Sequence, residues 1–212
     1  SAAAPPAAIQ DDMAHGPDWY RHLISWPWLA WLVYWLGSAV ATKTTQRRES
    51  RGSRLAHVVP LLIGAALLGW PSLPWAWIEL RLWPRAPLPY FAGLVLVYAG
   101  LAFAVWARMH LGRNWSGTVT VKEDHELIRS GPYALVRHPL YPGLLIAVLG
   151  TALASGTLRA ALAFAIITAA LLRKLRIEEA FMGATFPEEC PRYRAAVPPL
   201  LPFTKLRRSA PR

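Results

Sequence analysis

The chain has 212 residues, of which 54% are hydrophobic and 17% charged, with a formal net charge of +11, 11 tryptophans and 1 cysteine. So apolar a composition argues against an ordinary water-soluble domain, and the lone Cys190 excludes an internal disulfide and a cysteine-built zinc site. The basic residues lie beside apolar runs, where they orient a chain in a bilayer and meet anionic lipid, so membrane lipids are expected as partners and nucleic acid is not.

In chain order, residues 1–18 open with SAAAPPAAIQDD, the composition of a flexible tail or an expression remnant, and are set apart from the fold. Five apolar segments follow: about Leu23 to Ala41, rich in Trp and Leu; Leu55 to Trp70, with Pro60 inside; Leu88 to Met109; Leu140 to Ala154; and Leu158 past Leu172. A spanning helix needs about 20 residues. The first and third segments meet that length, the second is marginal and the fourth is short. The turn ASGT (154–157) then sends the chain back, so the fourth and fifth segments are expected to form a tight helical hairpin.

Positive residues mark the cytoplasmic side. Lys43, Arg47, Arg48, Arg51 and Arg54 fill the first loop, Arg113, Lys122 and Arg129 lie in the third, and Arg173, Lys174, Arg176, Arg192 and Arg194 follow the last segment. These place both loops and the C-terminus inside, and the N-terminus, with Asp11, Asp12 and Asp18, outside. The expected fold is an all-α integral membrane protein of about five transmembrane helices, in an inner membrane of bacterial or archaeal type. Residues 19–110 form its N-terminal helices and 111–212 its catalytic region.

The polar chemistry gathers in two cytoplasmic places. In the first, Val119, Val121, Leu127 and Ile128 can close a lid, and Gly131-Pro132 makes a turn before Tyr133. Pro139 suits the first turn of the fourth helix, which puts His138 at about the N-cap and Arg137 just before it. Gly143 leaves room for the close approach of another helix or a ligand. Single Arg, His or Tyr residues at a membrane edge commonly serve as headgroup anchors; a whole cluster fixed by turn residues points to a site. In the second place, Lys174 and Glu178 share a helical face, being four apart, and Glu179 points about 100° away. A carboxylate at headgroup level is costly, and a cationic ligand would offset that cost.

Together these motifs resemble the isoprenylcysteine carboxyl methyltransferase family: HELI (125–128), GPY (131–133), RHPLYPG (137–143) and EE (178–179), with Phe186, Tyr193 and Val197-Pro198 in the tail. The resemblance covers about Leu111 to Phe203. It implies S-adenosylmethionine as cofactor, bound on the cytoplasmic side beneath a loop and the C-terminal segment, with a lipophilic or prenylated acceptor. It also implies cofactor contacts from His125, Glu126, Leu127, Ile128, Tyr133, His138, Pro139, Leu140, Tyr141 and Glu178. The family has an Arg four residues before its pocket Glu, proposed to hold the substrate carboxylate. Here Lys174 has that spacing and Arg173 precedes it, and a lysine cannot reproduce the guanidinium fork. Arg137, Arg173 and Lys174 are the candidates to orient the acceptor, and no metal is expected. Three alternatives stay open: a methyltransferase for a lipid amine, a sterol-type NADPH reductase (whose pattern departs at Leu140 and Leu144), and a non-catalytic scaffold or transporter.

Overall fold

The computed structural model describes residues 18–39, 45–70, 74–112, 120–122 and 127–202. These fold into a helical protein with one small antiparallel ribbon. Helix α1 runs Asp18–Ala39, α2 Arg51–Gly69, α3 Pro87–Leu111, α4 Pro132–Leu135, α5 Leu140–Ser155, α6 Leu158–Thr185 and α7 Glu189–Ala196. Strand β1 (Thr45–Arg48) pairs with β2 (Thr120–Lys122), with Thr45 opposite Lys122 and Arg48 opposite Thr120. No ribbon was expected in these loops. Runs of four and three residues carry too little alternation to announce a strand.

Local chemistry sets the ends. Ser50 caps α2 by accepting from the Ser53 amide. Pro87 occupies the first turn of α3, where its missing N–H costs nothing. Gly156, at φ 64°, takes the left-handed position that closes α5, and the next residue, Thr157, caps α6 by accepting from the Ala160 amide. The expected turn at 154–157 is thus built from a C-terminal glycine and an N-terminal threonine.

The tightest packing is between α3 and α5. A Cβ on Gly100 would lie 2.5 Å from the Gly143 carbonyl oxygen, and one on Gly143 would lie 2.8 Å from that of Gly100. Gly93 and Gly150 make the same close approach one heptad away. Glycines at these four points let two backbones meet without side chains between them. Helix α6 packs chiefly on α2, and α1 leans on α3. Trp28 Nε1 on α1 donates to Thr151 Oγ1 on α5 at 3.0 Å.

Two helices, Arg51–Gly69 and Pro87–Leu111, are long and apolar enough to cross a membrane, and Leu140–Ser155 is a shorter apolar helix. The second sequence segment therefore meets the criterion that length alone left marginal. The first segment is not among the candidate spans; it carries Trp26, Trp28, Trp31 and Trp35, each with a polar N–H. Large apolar side chains point outward along the helices, among them Leu32 and Val33 on α1, Leu62 and Ile63 on α2, and Val95 on α3. A belt of this kind is stable against hydrocarbon and costly in water.

Candidate active site

Gly131, at φ 57°, turns the chain into α4. Tyr133 is buried there, and its carbonyl accepts from the Tyr193 hydroxyl of α7 at 2.6 Å. Pro139 is fully buried and sits at the N-cap of α5, so the helix begins at Leu140 and His138 lies just outside it, one position earlier than expected. The residues before that start do not continue the helix. The Arg137 amide donates to Pro198 O at 2.9 Å, and the His138 amide to Pro199 O at 3.1 Å. The C-terminal segment thus lies alongside the mouth and fixes its backbone.

The paired acids of α6 meet this mouth from the other side. Arg137 grips Glu179 with both edges of its fork, Nε to Oε1 at 3.0 Å and Nη2 to Oε2 at 3.1 Å. Its Nη1 donates to the carbonyls of Val197 and Arg194. Arg194 adds an ion pair to Glu179 Oε2 at 2.8 Å. His138 lies between the two acids, with Nε2 2.6 Å from Glu179 Oε1 and Nδ1 3.4 Å from Glu178 Oε2. Its ring stacks on Tyr141 at 5.7 Å between centroids. Lys174 Nζ is 3.5 Å from Glu178 Oε1 and 5.8 Å from the centre of the Tyr141 ring.

These contacts decide the charges. Burial opposes ionisation of Glu178, but the charges of Lys174 and His138 outweigh it and hold the carboxyl at about 2. Burial likewise opposes ionisation of Glu179, and hydrogen bonds from His138 and Arg137 hold it at about 2. Burial disfavours the charged form of His138, yet the two carboxylates prevail and raise its pKa, so the imidazolium persists. Burial pushes Tyr193 up to about 12 and Tyr133 well above the ordinary phenol.

The mouth opens into a cavity of about 1160 Å³. At the polar end its wall includes Arg137, His138, Tyr133, Tyr193, Lys174 and Glu178; toward the other end it is apolar, with Leu144 and Val148 of α5, Leu61 and Leu68 of α2, and Trp28, Trp31 and Trp35 of α1. Of the residues expected at the cofactor, Leu127, Ile128, Tyr133, His138, Leu140, Tyr141 and Glu178 all reach this wall. Pro139 does not; it shapes the mouth from beneath. His125 and Glu126 lie outside the described residues.

The three candidate cations separate. Lys174 lines the cavity. Arg137 reaches it too, but its donors serve Glu179 and two carbonyls. Arg173 turns to α2, donating to Ser53 O at 3.1 Å, and lines a different groove beside Ala56 and Pro60. The arrangement also gives weight to two residues the sequence left aside. Glu179, expected to face away, is the anchor of the mouth, and Arg194 is its third cation. The available signal was the Arg-His pair itself, since two adjacent cations at a helix start call for an acid.

Comparison with known proteins meets the same region. The model of the isoprenylcysteine carboxyl methyltransferase (ICMT) family matches residues 93–182. That stretch is similar to the ICMT family. It holds α5, the mouth and both acids of α6. A protein-S-isoprenylcysteine O-methyltransferase of Schizosaccharomyces pombe is 34% identical over 102 residues, 45% of this chain and 43% of that protein. A probable protein-S-isoprenylcysteine O-methyltransferase of Oryza sativa subsp. indica is 31% identical over 116 residues, 53% of this chain and 61% of the relative. The cobalt-zinc-cadmium resistance protein CzcN of Cupriavidus metallidurans is 29% identical over 135 residues, 62% of this chain and 54% of that one. The chain spans about half the length of the curated relatives it matches, from 43% to 61%.

Proposed function

We propose that this protein is a membrane-embedded methyltransferase that uses S-adenosylmethionine to methylate the carboxylate of an isoprenylcysteine-type acceptor. One observation carries this: a single cavity joins an acid-and-aromatic mouth at Glu178, His138 and Tyr141 to apolar walls on α1, α2 and α5. A polar cationic reactant and a lipophilic one can meet nowhere else so well among the described residues.

The residues fit a sulfonium cation. Glu178 is held ionised on the cavity wall, and Lys174 already shows the pocket's affinity for positive charge, sitting near both that carboxylate and the Tyr141 ring. When bound, S-adenosylmethionine supplies an electrophilic methyl group. Glu178 and the Tyr141 ring would hold the positive end, with Leu127, Ile128, Tyr133 and His138 around the rest; His125 and Glu126 belong to the same proposed set. An acceptor carboxylate is already ionised at neutral pH and needs no general base. His138, doubly committed to two acids, acts as a strut and not as a base. Lys174 orients the acceptor, Arg137 positions the mouth through Glu179, and Arg173 stays outside the reaction. Rate comes from aligning two reactants in a water-poor cavity.

The proposed setting is about five passes, with the α5–α6 pair entering from the cytoplasmic side, the N-terminus outside and the C-terminus inside. Residues 19–110 supply apolar walls and 111–212 the catalytic region, which the β1–β2 ribbon and the C-terminal segment help to close.

The test is titration calorimetry of S-adenosylmethionine into purified protein, paired with labelled-methyl transfer to a panel of prenylcysteines and lipid amines. Micromolar binding that weakens at least about 10-fold in Glu178→Gln is expected, from the loss of one close charge. Unchanged affinity in that variant removes Glu178 from the site. Transfer to the amines alone replaces the acceptor class, and binding of NADPH instead points to a reductase.

A further inference from the structure

Behind the cavity wall lies an acid that the mouth does not use. Glu49 follows β1 and precedes Ser50, the cap of α2, and it is not part of the cavity lining. Its side chain keeps 3% of its surface exposed, and neither carboxylate oxygen makes a hydrogen bond among the described residues. Oε1 lies 3.5 Å from Nε2 of His57 on α2, which is buried as well. An ionised carboxylate in such a place is costly unless a cation reaches it.

Two contacts fix where this acid sits along α6. Arg173 Nη1 donates to Ser53 O at 3.1 Å, and a Cβ on Gly64 would lie 2.4 Å from Ile167 Cγ1. Helices α2 and α6 therefore run antiparallel, with Ser53 level with Arg173 and Gly64 level with Ile167. His57 is one turn past Ser53, about 6 Å, and helical side chains tilt back toward the N-terminus. The Glu49–His57 contact thus falls beside the turn of α6 that carries Lys174. The electrostatics agree: the charge of Lys174 reaches His57, and that of Glu49 reaches Tyr141.

Lys174 is flanked on its other side by the cavity. There its Nζ is 3.5 Å from Glu178 Oε1 and 5.8 Å from the centre of the Tyr141 ring. Those are the two groups proposed to hold the sulfonium, so the ammonium stands where that cation must go. Two like charges on one carboxylate and one ring repel. Glu179 offers the lysine no refuge, because Arg137, His138 and Arg194 occupy it. Among the described residues, the acid left in this cluster is Glu49.

We propose that Glu49 is a positioning residue: it receives the Lys174 ammonium when a sulfonium occupies Glu178, which clears the cation site and keeps the lysine beside the acceptor. The lysine stem is flexible, and its three donors can serve several partners at once, one on Glu49 and two on an acceptor carboxylate. This inference rests on the proposed function and deepens it, because it says what makes room for the incoming charge.

The experiment has two arms. In the first, S-adenosylmethionine and the neutral thioether S-adenosylhomocysteine are titrated calorimetrically into the purified protein in detergent. Glu49→Gln is expected to weaken the sulfonium about 10-fold and the thioether less than about 2-fold, since only a cation has to displace the ammonium. Glu49→Asp, which keeps the charge, should recover most of the loss. In a Lys174→Met background, Glu49→Gln should change neither affinity by more than about 2-fold, because no ammonium remains to move. Equal losses for both ligands, or the same loss with and without Lys174, overturn the proposal.

The second arm needs no cofactor. In Glu178→Gln the ammonium loses its cavity-side partner and turns to Glu49 in the free protein. Glu49→Gln is therefore expected to move the melting temperature by less than about 2 °C alone, and to lower it by at least about 4 °C when added to Glu178→Gln. A double variant that does not fold, where each single variant does, counts as that coupling. Additive effects overturn the exchange, and so does a Glu49→Gln variant that does not fold, since the free protein then depends on this acid. If neither nucleoside binds but the coupling is found, the functional reading fails and the exchange stands. If neither is found, both fail.

Discussion

Replacing Glu179 by Gln is expected to damage the fold more than replacing Glu178, although both acids are drawn down to about 2. Glu179 keeps 19% of its side-chain surface exposed and takes Nε and Nη2 of Arg137, Nε2 of His138 and Nε of Arg194 within 2.6 to 3.1 Å. Glu178 meets His138 at 3.4 Å and Lys174 at 3.5 Å. A fall from 4.5 to about 2 corresponds to about 3 kcal/mol of stabilisation. Breaking a mostly buried ion pair by removing one partner gives a similar figure, about 3–5 kcal/mol. For a chain of this size that predicts a melting temperature about 6–12 °C lower in Glu179→Gln. Glu178→Gln, lacking short contacts, is expected to lose less than half as much. The sign with pH is opposite for the two kinds of group. The carboxylate contribution is present above the unfolded value of about 4.5 and is lost as pH falls through about 2. The His138 contribution is full below about 6.5 and is lost as pH rises through its elevated folded value. Removing Glu179 takes away one of the two acids that raise His138, so the alkaline decline should start at lower pH. A thiol-reactive fluorophore reports melting directly, because Cys190 is buried and is the sole cysteine. Melting of Glu179→Gln within about 2 °C of wild type would refute the anchoring role, since that leaves under about 1 kcal/mol for the whole constellation; so would equal losses in the two variants.

Arg137→Lys keeps the charge but not the fork, and a loss of about 1–2 kcal/mol is expected, read as a melting shift of about 2–8 °C in the same assay. Lys174→Ala should lower methyl transfer to a prenylcysteine at least about 10-fold, whereas Arg173→Ala should stay within about 3-fold, because its guanidinium faces Ser53; equal losses would put Arg173 back at the acceptor. Gly100→Val must push α3 off α5, since even a Cβ would sit 2.5 Å from Gly143 O, and detergent-stable protein is expected to vanish; Gly37→Ala, with open space around it, should leave or raise the melting temperature.

Much of the fold was legible because a bilayer imposes length and apolarity on any crossing segment. The helix that begins at Leu140 could be placed from Pro139 and the return at Gly156-Thr157 from turn chemistry, each to within a residue. What a linear reading missed was partnership. Two segments joined by a short turn look like each other's main neighbour, yet α5 leans most on α3. The signal was present as heptad-spaced glycines on both helices, Gly93 and Gly100 against Gly150 and Gly143. The ribbon was hidden for a different reason: its strands are short and about seventy residues apart, so no local period marks them. In the site, Lys174 and Glu178 were correctly joined by helical spacing. The partners of Glu179 could not be read because a helical wheel describes one helix. Its true environment comes from Arg137, forty-two residues earlier, and Arg194, fifteen later, brought together by the C-terminal segment.

The adjacent acids then have a physical logic that neither has alone. Side chains next to each other on a helix diverge by about 100°, so one pair can serve two surfaces. Glu179 faces the Arg137–Arg194 side and closes it; Glu178 faces the cavity. His138 bridges the gap between them, and its positive charge lets two neighbouring carboxylates stay ionised together where water is scarce. Across the mouth, Arg137, His138, Lys174 and Arg194 oppose these two acids, leaving a local excess of positive charge. Such an excess attracts carboxylates in general, while the patch of Glu178 and the Tyr141 ring is the one place on that wall suited to a cation. Under the proposed function, a mouth charged in this way would sort its two ligands by sign, drawing the acceptor's anionic end toward Lys174 and the sulfonium toward the acid beside it. The two reacting ends would thereby lie next to each other before any covalent change begins.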